Sequence, residues 1–195
     1  MNKFLKRLFD IIFSGLALIA FSPLFLILAI WIKSDSHGPV FFVQERLGKN
    51  AEVFKIIKFR TMVINAENIG DGLSVKTDKD SRITKSGRLL RKTSLDELPQ
   101  LINVFLGQMS IVGPRPPVTY HPYGGIENYP GWALKRFEMR PGITGLAQVR
   151  YRNSKTWEER FQVDVEYIKE FSILLDIKIL LATLKRVFKS DNIYG

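Results

Sequence analysis

The sequence predicts an α/β protein that is mostly helical: a broken apolar helix at the N-terminus, one small β-hairpin, and amphipathic helices lying at a membrane interface. Three observations predict it. Leu8 to Ile32 is apolar except for Asp10, Ser14 and Ser22. Two strand-like runs, Pro39–Gln44 and Val53–Met62, flank the turn Leu47-Gly48-Lys49-Asn50. From Ile83 onward, apolar residues recur at three- and four-residue spacing. The chain has 195 residues and no Gly/Ser- or Pro-rich linker, so one functional unit is expected, with a membrane segment over 1–34 and a domain over 35–195.

The N-terminal run of 25 residues would extend roughly 37 Å as a helix, enough to cross a bilayer. It is too long for a secretory signal and has no small-x-small cleavage site. Pro23 removes an amide bond to the Ile19 carbonyl, which predicts a kink at Ser22-Pro23, and the Ser22 hydroxyl is placed to rebond the freed group. Two geometries follow, a tilted spanning helix or a helix-break-helix that dips into one leaflet. Lys3, Lys6 and Arg7 precede the run and Lys33 follows it, so basic residues stand at both ends and do not choose a side. Asp10 reads as an anchor to Lys6 or Arg7.

In the hairpin's second arm, strand alternation places Lys58 and Arg60 on one face, either as two cations for an anion or as a solvated face. Residues 65–82 are polar and aperiodic, a loop. Helices are expected over Ile83–Lys92 and Leu95–Phe105, the second stopped by Gly107. Met109–Val112 reads as a strand leading into Gly113-Pro114-Arg115-Pro116-Pro117, either a stiff mount for a phosphate-binding arginine or an ordinary turn. The glycines of Arg140-Pro141-Gly142-Ile143-Thr144-Gly145 allow close approach to a ligand, and equally make a loop. Thr156–Phe171 is an amphipathic helix with Trp157, Phe161, Val165 and Ile168 on its core stripe. Asp164, near that stripe, is either a surface residue or paired with a cation such as Arg152. Ile173–Lys189 reads as a helix in the headgroup zone or as a buried C-terminal helix.

Lys and Arg number 29 against 19 Asp and Glu, a formal net charge of +10, which points to nucleic acid, phospholipid headgroups or a phosphorylated substrate. There is no cysteine, which excludes disulfides and thiolate metal sites, and two histidines, His37 and His121, do not make a histidine-rich zinc site. There is no internal repeat, Walker A loop or Gly-x-Gly-x-x-Gly. The informative pair is Asp96-Glu97, adjacent carboxylates after Arg88, Arg91 and Lys92. Cationic neighbours should hold both ionised, and an ionised Asp can act as nucleophile while an ionised Glu is a hard ligand for magnesium. Alternatively, Ser94-Leu95-Asp96-Glu97 is a capping box at a helix start. A basic membrane-anchored protein that binds anionic lipid or nucleic acid without catalysis would carry the same charge.

Five motifs occur in order: the broken apolar segment with Ser22-Pro23, Lys58-Phe59-Arg60-Thr61-Met62, Ser94-Leu95-Asp96-Glu97-Leu98-Pro99-Gln100, Val112-Gly113-Pro114-Arg115-Pro116, and Arg140-Pro141-Gly142-Ile143-Thr144-Gly145. With them the chain resembles the bacterial monotopic phosphoglycosyl transferases, in their small form, over essentially its whole length. The resemblance implies transfer of a sugar 1-phosphate from a UDP-sugar to undecaprenyl phosphate, giving a polyprenyl diphosphate sugar and UMP, the first membrane step of glycan assembly. It implies Asp96 as nucleophile, Glu97 as the Mg2+ ligand, Lys58, Arg91 and Arg115 as phosphate-binding cations, and Arg152 and Asp164 as further polar residues lining the site. It implies a re-entrant hairpin turning at Ser22-Pro23 in the bacterial inner membrane, with phospholipid around it and the catalytic domain on the cytoplasmic face. No nucleic-acid partner is implied, and the oligomeric state stays open, a homodimer included. Leu146 stands where relatives often have Trp, and Val149-Arg150-Tyr151-Arg152 replaces a more usual Asn-Gly-Arg ending. These departures leave the sugar undetermined.

Overall fold

The computed structural model describes residues 2–69, 80–151 and 155–189. Helix α1 (Asn2–Ala20) and helix α2 (Ser22–Asp35) are bent by 60° across Phe21. Among the described residues no single helix is long and apolar enough to cross a bilayer; this bent pair passes that test only together. The break has the cause read from the sequence: Pro23 has no N–H to give Ile19, and Ser22 Oγ donates to the Ile19 carbonyl at 2.8 Å.

Helix α1 is polar on the inside. Lys6, Asp10, Ser14 and Ala17, spaced by three or four residues, are buried, while Phe4, Leu8, Phe13, Leu16 and Ile19 face outward. Asp10 does not anchor to Lys6 or Arg7; it accepts from Ser110 Oγ (3.1 Å) and the Ile111 N–H (3.0 Å). Lys6 instead pairs with Asp176 at 2.6 Å, and Arg7 donates to the carbonyls of Val104 (2.6 Å) and Phe105 (2.9 Å). The expectation failed because a local pairing rule cannot see partners some hundred residues away.

Strands β1 (Phe41–Leu47) and β2 (Val53–Phe59) form the antiparallel hairpin, in register from Phe41 opposite Phe59 to Leu47 opposite Val53. The first strand runs past Gln44 because Glu45, Arg46 and Leu47 go on pairing with Lys55, Phe54 and Val53, and the Leu47 N–H donates to the Pro117 carbonyl at 3.0 Å. The second stops before Arg60, whose guanidinium donates to the Ser36 and His37 carbonyls at the end of α2. Arg60 is therefore buried and structural, and only Lys58 of the expected cation pair is available to an anion.

Helix α3 (Lys85–Thr93) starts at Thr84, whose hydroxyl accepts from the Gly87 N–H, and at Asp35, whose carboxylate accepts from Ser86 N–H (2.7 Å) and Oγ (2.8 Å). The exit of the apolar segment is thereby tied to the helix that leads to Asp96. Gly87 is required there, since a Cβ would lie 2.0 Å from the Thr61 carbonyl oxygen. The second expected helix is divided: Leu95–Glu97 is a 3-10 turn and helix α4 spans Gln100–Leu106. Pro99 between them limits where the α-helix begins.

Short parallel strands β3 (Ser110–Val112) and β4 (Gly142–Thr144) join the two loops that flank the site. A Cβ on Gly142 would stand 2.1 Å from the Gly113 N, and one on Gly145 2.1 Å from the Gly113 O. These glycines bring chain against chain, which accounts for them without a ligand. Helices α5 (Gly131–Leu134), α6 (Leu146–Tyr151), α7 (Trp157–Glu170) and α8 (Ile173–Lys189) complete the fold. The core gathers Phe54, Ile56, Val104, Met109, Tyr167 and Ile179. Of α8, Asp176 and Ile179 face that core, as expected of a buried C-terminal helix, while Ile173, Leu174, Ile177, Leu181 and Leu184 form an exposed apolar side.

Candidate active site

Asn103 sets the geometry. Fully buried in α4, it accepts from the Ile57 N–H at 3.0 Å and donates to the Lys55 carbonyl at 2.8 Å, pinning the helix onto β2. The turn just before α4 thus sits against Lys58. Lys58 Nζ donates to Glu97 Oε1 at 2.6 Å, and Arg115 Nη1, from the rigid proline loop, lies 3.5 Å from the same oxygen. Two segments distant in sequence converge on the carboxylate of a third.

Ser94 does not form a capping box. It adopts a left-handed conformation (φ 58°) and makes no side-chain cap, because it closes α3 while the 3-10 turn begins. The Glu97 carboxylate is held by cations instead. The Asp96 carboxylate has no hydrogen-bond partner among the described residues and is partly exposed.

The two carboxyls are pushed apart electrostatically. Burial raises Glu97, but Lys58 and then Arg115 outweigh it and hold it down at about 2. Burial, against Lys58 and with the adjacent Glu97 charge, pushes Asp96 up to about 6. The expectation that cations hold both carboxyls well ionised is met by Glu97 but not by Asp96, which burial not legible in the motif raises above its ordinary value. Asp96 is thus a carboxyl without a hydrogen-bond partner, basic for its kind, beside cations that can receive phosphate oxygens.

Glu97 Oε1 carries both cationic contacts, which leaves Oε2 and the Asp96 oxygens as hard donors. Magnesium is commonly held by one or two carboxylates, with water and substrate phosphates completing its shell, and this donor set fits it. Among the described residues no group of three or more His, Asp or Glu offers a fuller protein cage.

The profile of the bacterial sugar transferase family matches residues 1–190. The chain belongs to that family. A UDP-glucose:undecaprenyl-phosphate glucose-1-phosphate transferase of Klebsiella pneumoniae is 42% identical over 199 residues, covering 100% of this chain and 42% of that protein. A transferase of the same description from Caulobacter vibrioides is 40% identical over 194 residues, 97% of this chain and 72% of its own length. An exopolysaccharide production protein of Rhizobium leguminosarum bv. phaseoli is 42% identical over 192 residues, 94% of this chain and 95% of its own. The chain thus spans less than half of the Klebsiella relative and nearly all of the Rhizobium one.

In this bacterial sugar transferase chain, Arg91 stands close enough to Asp96 to lower its pKa, and its Nη1 is buried without a partner. Arg152 lies outside the described residues. Asp164 is buried rather than on the surface, and its cation is Arg136, at 2.7 Å from Nη2 and 3.2 Å from Nε. Arg136 Nη2 also donates to the Arg115 carbonyl at 2.7 Å, so the Asp164–Arg136 pair holds the proline loop in place. Leu146 is buried in the main core, away from open surface.

Three arginines were missed in the sequence. Arg136 links Asp164 to Arg115; Arg46, on β1, donates to the Pro116 carbonyl at 3.3 Å; Arg160, on α7, acts on Arg115 through space. Burial first, then the charge of Arg115, brings Arg46 down to about 10. Arg46 Nε and Arg160 Nε are buried without partners. One signal was present: Arg160 abuts Phe161 on the apolar stripe of α7, a place where a cation needs a reason.

Proposed function

We propose that the chain transfers a sugar 1-phosphate from a UDP-sugar to undecaprenyl phosphate, with Asp96 as the covalent nucleophile. The observation that carries this is the unpartnered Asp96 carboxylate beside Glu97, Lys58 and Arg115, with Arg46, Arg91 and Arg160 near them each keeping one buried N–H unbonded. Family membership and the printed names of the Klebsiella and Caulobacter relatives support it, and make UDP-glucose the first donor to test.

In the first step an Asp96 oxygen attacks the sugar-linked phosphorus, a carboxyl O–P bond forms and the phosphoanhydride bond to UMP breaks. In the second, an oxygen of undecaprenyl phosphate attacks the same phosphorus and the carboxylate leaves. No proton need move in either. Because an anion attacks an anion, Lys58, Arg91 and Arg115 lower the barrier by neutralising charge on the phosphoryl oxygens. Magnesium bound at Glu97 would supply further neutralisation of the diphosphate. One bond of similar kind is broken for each one made, so the net reaction lies near balance.

The membrane placement belongs to the same proposal. Both arms of the bent pair rest on one domain: α1 through Asp10, Lys6 and Arg7, α2 through Leu28 and Ile32 against Phe59 and Leu90. With a bend of 60°, arms about 27 and 21 Å long set symmetrically about the membrane normal reach only about 10–13 Å deep, less than one leaflet. This supports a re-entrant hairpin in the bacterial inner membrane that lets a lipid phosphate and a soluble nucleotide sugar meet at the cytoplasmic surface.

UMP release from UDP-glucose and other UDP-sugars, with and without undecaprenyl phosphate, tests the reaction. Asp96→Asn is expected to lower lipid-linked product by roughly 10³-fold or more. Turnover that ignores the substitution, or product that is free sugar phosphate when the lipid is supplied, overturns it.

A further inference from the structure

At the start of α1 a second basic recess opens, lined by Lys3, Lys6, Arg7, Lys49 and Arg140, with a volume of about 80 Å³. It shares none of these residues with the Asp96–Glu97 centre. Two carboxylates, Asp10 and Glu138, also line it, but Asp10 is engaged by Ser110 and Ile111. Lys6 is neutralised by Asp176, whereas Lys3 and Lys49 form no ion pair among the described residues.

The two arginines are held in place before any ligand arrives. Arg7 donates to the Val104 and Phe105 carbonyls, and Arg140 Nε donates to the Gly107 carbonyl at 2.7 Å. Both guanidiniums are thereby fixed at the end of α4, near enough that their like charges repel, a repulsion that Asp10 offsets only in part for Arg7. An anion between them would relieve that repulsion. Exposed apolar residues are next in sequence to those that form the recess: Phe4 and Leu8 follow Lys3 and Arg7 on α1, and Leu106 ends α4 beside Gly107, whose carbonyl holds Arg140. A cationic recess beside an apolar surface is matched by a phosphate that carries acyl chains, whereas free phosphate gains nothing from the apolar side.

We propose that this recess binds the phosphate of an anionic phospholipid headgroup, at a site separate from the catalytic centre. The ligand is a phosphodiester without a compensating cation of its own, as in phosphatidylglycerol. It would fix the depth and rotation of α1, and with them Ser110, Ile111 and the loop that carries Arg115.

Calorimetric titration of the full chain in non-ionic detergent with dihexanoylphosphatidylglycerol, dihexanoylphosphatidylcholine and inorganic phosphate tests this. The phosphatidylglycerol probe should bind roughly tenfold or more tightly than either of the others, and Lys3→Glu with Lys49→Glu should weaken it by a similar factor. Lys3→Arg with Lys49→Arg should retain it, which separates loss of charge from loss of fold, and Asp96→Asn should leave it unchanged. Equal binding of the two lipids, or charge reversal without effect, overturns the proposal. Inorganic phosphate binding as tightly as phosphatidylglycerol also overturns it, assigning the recess to the free ion.

Discussion

Burial holds the Asp96 carboxyl at about 6 although Lys58, Arg91 and Arg115 all pull it down. The folded chain therefore binds more protons than the unfolded one between about pH 4 and 6, and stability falls as pH rises through that window. Asp96→Asn removes the charge and keeps the shape, so in the absence of magnesium it should raise the unfolding free energy at pH 7 by about 1–2 kcal/mol. Thermal unfolding in detergent reads this, and the advantage should vanish near pH 4; a variant less stable than wild type at pH 7 would show that the site is not strained. Arg136→Met should act the opposite way, because it strands Asp164 as a buried charge, at a cost of about 3–5 kcal/mol. Adding Asp164→Leu should restore most of that stability in the same melts but not the rate of UMP release, since the Arg115 carbonyl still lacks its donor. Asp96, Glu97, Lys58 and Arg115 were legible in the sequence because short motifs announce them. Arg136 was not, since its pairing with Asp164 spans 28 residues and no local pattern reports it.

The break between α1 and α2 shows what a local signal can carry at the scale of an element. Ser22-Pro23 contains both the cause of the bend and its repair, and the structure has both. The same reasoning misread Ser94–Glu97, where a capping-box pattern sits on a turn whose first residue is left-handed, and it gave Arg60 to a strand that ends one residue earlier. In each case a partner distant in sequence decided: Lys58 for Glu97, the end of α2 for Arg60. Without the proline, the 34 residues from Asn2 to Asp35 would run about 50 Å as one helix. The chain contains no cysteine, so single cysteines at Lys3 and Ser34 report topology without background. Both should resist a membrane-impermeant thiol reagent applied from the periplasm. Ser22→Ala with Pro23→Ala should expose one of them; labelling of either in the unaltered break would rule out re-entry.

Among the described residues the apolar side chains form two populations. Phe54, Val104, Met109 and Ile179 fill an interior, while the outer faces of α1, α2 and α8 and the tip of α4 remain uncovered. Polar groups on the inner face of α1 bind that exposed surface to the domain, so the Asp96–Glu97 turn and the apolar face are parts of one packed body. The mostly helical α/β class, the hairpin and the longer helices could be read from periodicity, because helix and strand spacing is a local property, but the short β4, α5 and α6 could not. The burial of Asp96, the arginine cluster behind Arg115 and the basic recess at α1 could not, because they arise where β2, α4 and the loops after β3 and β4 meet. The central claim is that Asp96 becomes esterified by sugar phosphate. Intact-mass spectrometry of the full chain, incubated with UDP-glucose and magnesium without lipid acceptor, tests it most directly. The account predicts a mass increase of one hexose phosphate, mapped to Asp96, discharged by undecaprenyl phosphate and absent in Asp96→Asn; an adduct on another residue, or lipid-linked product formed with no adduct at all, would contradict it.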